Sequence, residues 1–152
     1  MSDIEIPEYA LTLWSPWSQC ILYGGKLVEN RTYRPPEHLM GKRLAIHTGQ
    51  TSDDKAYRYL REDPSIYSPS RSRRKKGCLV GSVVIAGYRT PDSLKLVKRF
   101  ADLVTLSQRD KWFSGPIGWI LYDPIPFVDA IPSRGWPGVW GIEDHVRAQL
   151  RY

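Results

Sequence analysis

The run Leu79-Val80-Gly81-Ser82-Val83-Val84-Ile85-Ala86-Gly87 constrains the fold more than any other segment of the chain. It is apolar and β-branched, as a strand covered on both faces must be, and its glycines let such a strand bend sharply. A strongly bent, fully covered strand points to a small barrel, and this one is expected to be its longest strand. Further strands are read at Lys26 to Tyr33, which alternates and ends at Pro35-Pro36, and at Arg43 to Thr48, which runs into Gly49; the last two are Trp119 to Tyr122 and Gly138 to Ile142. Helical signals lie between them. Ser15 is placed to cap a helix with Pro16 in its first turn, apolar Trp17, Cys20 and Ile21, and Gly24-Gly25 past its end. Thr51 to Asp63 has Ser52 or Asp53 as cap and Ala56, Tyr57 and Leu60 in helical spacing, until Pro64. Thr90 is placed to cap a helix opened by Pro91 with Leu94, Val97 and Ala101 in period, and a short helix closes the chain. The class is α+β: a small, partly open β-barrel of about five or six strands, mixed or antiparallel, flanked by helices.

A chain of 152 residues suits one domain spanning residues 1–152. With 41% hydrophobic and 25% charged residues it is too apolar for disorder. No apolar run approaches the ~18 residues a membrane span requires, and the opening Ser2-Asp3-Ile4-Glu5 is unlike a signal peptide, so a soluble, cytoplasmic protein without a membrane partner is expected. Cys20 and Cys78 are single and far apart, with only His38, His47 and His145 as companions, which argues against zinc or a disulfide framework. The chain lacks G-x-S-x-G, H-E-x-x-H, a Walker loop and a dinucleotide fingerprint, which removes most familiar hydrolase, ATPase and oxidoreductase readings.

The net charge of +6 raises the expectation of a polyanionic partner, and most of it is local. Arg71, Arg73, Arg74, Lys75 and Lys76 fall within six residues with no acid among them. They belong to a segment, 65–77, rich in Ser and Pro and too polar to offset its ordering entropy by burial; it is expected to be a mobile basic loop. Such a loop is either simply solvated or a contact for a phosphate backbone.

Gly25-Lys26-Leu27-Val28-Glu29-Asn30-Arg31 places two bases and an acid at a turn-to-strand junction. Side chains repeat every second residue along a strand, so Glu29 and Arg31 share a face while Lys26 can bend toward either. These charges form either a small constellation or a solvent-facing ion-pair pattern. The six tryptophans fall in pairs, and those beside Pro, Ser and Gly, Trp17 and Trp112 above all, are candidates for base stacking as well as for packing. Ser114 lies in the same Trp112-Phe113-Ser114-Gly115-Pro116 segment. Arg134, between Pro132 and Gly135 on a loop, is placed to meet a phosphate or a carboxylate. His47 ends a strand and is either a ligand contact or a residue satisfied by local hydrogen bonds.

Taken together, these motifs resemble the ASCH (activating-signal-cointegrator homology) family, whose domains have a PUA-like β-barrel fold. The residues that carry the resemblance are Ser15-Pro16-Trp17, Gly25-Lys26-x-x-Glu29-x-Arg31, Leu44-Ala45-Ile46-His47, Gly81 to Gly87, Gly118-Trp119-x-Leu121 with Asp123-Pro124, and Pro132-x-Arg134-Gly135-x-x-Gly138-x-Trp140. They run in the expected order over nearly the whole chain. The resemblance implies binding of single-stranded RNA or a modified nucleotide in a cleft between barrel and helices, lined by the Lys26–Arg31 segment. Trp17, Arg31, His47, Trp112, Ser114 and Arg134 are the expected contacts, with the basic loop beyond. Some family members are single-strand ribonucleases, and a small bacterial branch deacetylates acetylated cytidine with the motif lysine and a threonine nucleophile three residues later. Here Glu29 holds that position, and a carboxylate nucleophile would give a mixed anhydride, so an amidohydrolase would need Glu29 to activate water.

If the chain is a hydrolase, Glu29 serves as general base on water or a ribose hydroxyl, Lys26 stabilises the developing oxyanion, and Arg31 keeps Glu29 a carboxylate. Lys26 is itself a poor base unless strongly buried. No cofactor is expected, with a divalent ion admitted only for a nuclease. Three functions stay open: a non-catalytic RNA or nucleotide binder, an RNA-processing enzyme, and a protein-interaction module whose loop meets an acidic partner. A salt-dependent RNA shift without product marks the first, cleaved or deacylated RNA the second, and no RNA affinity the third.

Overall fold

A computed structural model describes residues 3–63, 65–70 and 73–152. Seven strands form one mixed sheet: β1 (Tyr9–Ser15), β2 (Val28–Arg31), β3 (Arg43–Ser52), β4 (Cys78–Arg89), β5 (Leu94–Leu96), β6 (Ile117–Pro132) and β7 (Val139–Gly141). Their order is β2-β6-β4-β3-β1-β7, with β5 added to β4. Among the described residues, four short helices accompany them: α1 (Trp17–Tyr23), α2 (Asp54–Glu62), α3 (Leu106–Asp110) and α4 (Asp144–Arg147). The α+β class is as expected; the strands number seven rather than five or six.

The run that announced a bent strand lies in β4, which pairs antiparallel with β6 across three register shifts. Gly81 stands at one of them, where a Cβ would press into the Ile125 carbonyl and the Leu22 side chain, so bending there requires glycine. The longest strand is β6, with 16 residues, not β4, with 12. Pro124 and Pro126 sit inside β6 opposite the register shifts, where the ladder asks less of a backbone donor.

Two expected helix features are corrected. Thr90 does not cap a helix: its amide donates to the Ser93 carbonyl at 2.9 Å, its hydroxyl meets Ser93 Oγ at 2.7 Å, and this tight turn sends the chain back as β5 against β4. The apolar spacing of Leu94 and Val97 therefore belongs to a hairpin and a following 3-10 turn. Ser15 ends β1 instead of capping α1; its hydroxyl reaches Gln19 Oε1 and Tyr57 Oη, and Pro16 stands at the cap without a side-chain bond. Asp53 caps α2 as expected, accepting from the Ala56 amide at 3.0 Å. No expected element covered β1 or α3.

The alternation of β1 sends Leu11 and Leu13 into the main core with Ile46, Val83, Ile85 and Trp119, while Ala10 faces a second cluster with Ala45, Phe127 and Trp140 beneath the C-terminal segment. A third cluster joins Val28, Val84, Ile120 and Phe100. The sheet curls but does not close by strand pairing among the described residues: β7 accompanies β1 only over Tyr9–Leu11, and β2 pairs with β6 alone. Across the remaining seam Arg31 of β2 donates through Nη2 to the Thr12 carbonyl of β1 at 3.2 Å. Among the described residues, no helix is long and apolar enough to cross a membrane.

Candidate functional site

Two adjoining cavities open at this seam and share Thr12, Trp14 and Arg31 as lining. The smaller, about 520 Å³, contains Lys26, Glu29 and Arg31. Register explains why charges lie there. Glu29 pairs with Trp119 and Arg31 with Ile117, so both side chains leave β2 on the face of the main core, at the point where the missing strand pair leaves that face uncovered. Gly25, at φ +73°, turns the chain so that Lys26 joins them.

Lys26 and Glu29 are both buried. Lys26 Nζ donates to the Val28 carbonyl at 2.7 Å, stands 3.7 Å from Glu29 Oε1 and lies 5.2 Å from the centre of a Trp17 ring. Burial pulls the Lys26 ammonium below its usual 10.5, with the neighbouring Glu29 carboxylate opposing the shift. Glu29 Oε2 faces Arg31 Nη2 at 3.4 Å. Arg31 Nε is buried without a hydrogen-bond partner.

Of the other expected site residues, Trp17, Trp112 and Ser114 line this same cavity, and Trp17 is fixed by an indole N–H bond to Asp53 Oδ2 at 3.0 Å. Trp14, one of the tryptophans beside Ser and Pro, joins them, while sequence reasoning missed Asn30, Lys111 and Tyr59. Asn30 is the most consequential. Its Nδ2 donates to the Trp112 carbonyl at 2.9 Å, and its Oδ1 accepts from the Ser114 and Gly115 amides at 3.0 and 3.2 Å, fastening one wall of the cavity to β2. Its position between Glu29 and Arg31 was the available signal, obscured because its alternation points it away from them.

His47 and Arg134 lie apart from Lys26, in the larger cavity of about 930 Å³. His47 is buried; its Nε2 meets the Ser133 carbonyl at 2.8 Å, and its Nδ1 meets Thr12 Oγ1 at 3.1 Å, which also accepts the Trp140 indole N–H at 2.9 Å. A carbonyl only accepts, so Nε2 carries the proton; burial pulls the imidazole below its usual 6.5, leaving Nδ1 to accept from Thr12. A Cβ at Gly135 would collide with this ring, so the glycine lets the 133–138 loop pack on His47. Arg134 is exposed, with its guanidinium 5.0 Å from a Trp136 ring.

Among the described residues, the cations of the basic loop line neither of these cavities. Arg71 lies outside the described residues. Gln19 Nε2 donates to the Arg73 carbonyl at 2.8 Å, the Arg73 guanidinium stacks 3.9 Å from the Tyr23 ring, and Arg74 donates to the Pro69 carbonyl beside Tyr57. Lys75 and Lys76 are exposed. Arg74 and Lys76 share a cavity with Arg58 and Arg61 of α2.

No three His, Cys, Asp or Glu side chains converge among the described residues. The donor set at the seam is a carboxylate among cations, which favours an anion over a metal ion.

No family model and no curated protein matches the chain. Solved structures do resemble it. The crystal structure of ASCH from Zymomonas mobilis is 14% identical, with a TM-score of 0.49 over 95% of this chain and 93% of that one. A tyrosine-to-phenylalanine mutant of the Zymomonas ASCH protein is 14% identical with a TM-score of 0.49, covering 93% of each chain. A serine-to-alanine mutant is 16% identical with a TM-score of 0.48, covering 93% of this chain and 91% of that one.

Proposed function

We propose that this chain binds single-stranded RNA or a nucleotide, modified bases included, at the seam between β1 and β2. One observation carries the reading: the described lining of the smaller cavity combines the cations Lys26, Arg31 and Lys111 and the single carboxylate of Glu29 with the indoles of Trp14, Trp17 and Trp112. Cations supply phosphate contacts, and aromatic faces accept bases. The Glu29 carboxylate supplies an acceptor for the donor edge of a base. The resemblance to ASCH domains points the same way. An electrophoretic shift of short single-stranded RNA tests it: the complex should weaken with salt and with Lys26→Met. RNA that never shifts at low salt rejects the reading and favours a protein-interaction module.

Hydrolysis is a second reading, favoured by the buried Lys26 with its lowered pKa beside Glu29, since perturbed groups in a cleft mark catalytic sites. In that scheme Glu29 takes the proton of an attacking water or ribose hydroxyl while Lys26 faces the developing oxyanion. Product analysis of the same mixtures separates the two: intact RNA identifies a binder, shortened or deacylated RNA an enzyme.

A further inference from the structure

We infer that the larger cavity receives a second base, so that the chain holds two consecutive nucleotides with the phosphate between them at Arg31. The inference rests on the nucleotide reading of the smaller cavity and adds a ligand length to it. Three observations carry it. First, the cavities are contiguous, and Arg31 belongs to both walls. Its Nη2 is committed to Thr12 and Glu29, yet the side chain keeps 22% of its surface exposed, so the planar guanidinium is partly open to an anion at the boundary. Second, the larger cavity is lined by Trp14 and Trp136, which are 54% and 40% exposed and so offer aromatic surface on which a base can stack. Third, the described lining of that cavity contains Arg31 and Arg134 and no carboxylate, so it suits an anionic, planar ligand rather than a basic one.

His47 and Gly135 explain why the second subsite is preformed. The neutral imidazole ties Ser133 to β1 through Thr12, and the absence of a side chain at Gly135 lets the loop bearing Arg134 and Trp136 seat on it. A volume of about 930 Å³ is ample for one nucleotide, being at the upper end of ligand pockets.

The test compares titrations of CMP, CpC, AMP and ApA against the whole chain and against Trp136→Ala and Arg134→Gln. Each dinucleotide should bind at least about tenfold tighter than its mononucleotide, and this ratio should fall toward one in both variants. Because the readout is a ratio within one protein sample, a partly unfolded variant does not imitate the result. Equal affinity of CMP and CpC, and of AMP and ApA, overturns the second subsite while leaving the first intact. If no nucleotide of either length binds, the reading of the smaller cavity fails and this inference with it. A polyglutamate peptide that binds where all four nucleotides fail assigns the site to a protein partner.

Discussion

Arg31 Nη2 lies 3.4 Å from Glu29 Oε2 and donates to the Thr12 carbonyl at 3.2 Å, so one guanidinium joins the acid of the small cavity to the strand across the open seam. It is a structural link and a ligand-facing cation together. Arg31→Ala should therefore lower stability by about 1–2 kcal/mol, the net worth of a charge-assisted hydrogen bond in a partly shielded place, and weaken nucleotide binding as well. Urea denaturation measures the first effect and calorimetric titration the second. Full stability with lost affinity would mean that the Thr12 bond contributes nothing to closing the sheet.

Asn30 makes a prediction about the opposite wall. Its amide satisfies one carbonyl and two amides of the 112–115 segment, and Asn30→Ala leaves all three to water or to nothing. A loss of about 2–3 kcal/mol is expected, with Asn30→Asp between the two because its carboxylate keeps the acceptor and loses the donor. Denaturation of the three proteins in parallel checks the order. If Asn30→Ala matches wild type, the segment is held by its packing alone.

Much of this site was legible in sequence, but unevenly. Period two along 26–31 placed Glu29 and Arg31 on one face, and they share a cavity with Lys26. His47 and Arg134 were grouped with them, yet they belong to the neighbouring cavity, because only the β1–β3 pairing of Thr12 with His47 decides which face the histidine takes. The missing strand β1 explains most of the rest. Its Leu11 and Leu13 alternate with Thr12 and Trp14, a pattern of the expected kind, but it runs straight into the helix signals that begin at Ser15, and residues 9–14 carry no expected element. Without β1, the seam itself had no second edge. The hairpin at Thr90 was misread for a different reason: Leu94, Val97 and Ala101 fit helical spacing, and the Thr90–Ser93 turn that decides against a helix is a matter of local hydrogen bonds.

His47 gives a pH dependence whose sign is fixed by its burial. Its folded value lies below 6.5, so the unfolded chain binds more protons through the window from about 6.5 downward, and stability should fall as pH falls through it. His47→Gln should lack this component of the acid limb while remaining neutral. Thermal melts of both proteins between pH 7 and 5, about the range in which histidine titrates, compare the limbs. Parallel curves would show that other groups govern the loss.

The basic loop should anchor long RNA without serving the cavities. Arg73 and Arg74 are already engaged with Tyr23, Tyr57 and Pro69, while Lys75 and Lys76 are exposed. Each phosphate contact on a single strand contributes about −0.7 to the slope of log affinity against log salt, so replacing Arg71, Arg73, Arg74, Lys75 and Lys76 by Ser, with the loss of about two or three such contacts, should flatten it by about 1.4–2.1. Affinity for a mononucleotide should hardly change. An unchanged slope for a 20-nucleotide strand would make the loop a bystander.

The most direct measurement is a tryptophan-fluorescence titration of the wild-type chain and Lys26→Met with a mononucleotide. Arg31 still faces Glu29 in that variant, so the carboxylate is not stranded and the fold should persist, as a melt within a few degrees of wild type would confirm. Stacking at Trp17 or Trp112 should quench the wild-type emission in a saturable way, and Lys26→Met should need at least about tenfold more nucleotide for the same quench, the equivalent of ~1.4 kcal/mol. A wild-type signal that stays flat to saturating nucleotide, or identical titrations for two equally folded proteins, would contradict the assignment of the seam as a nucleotide site.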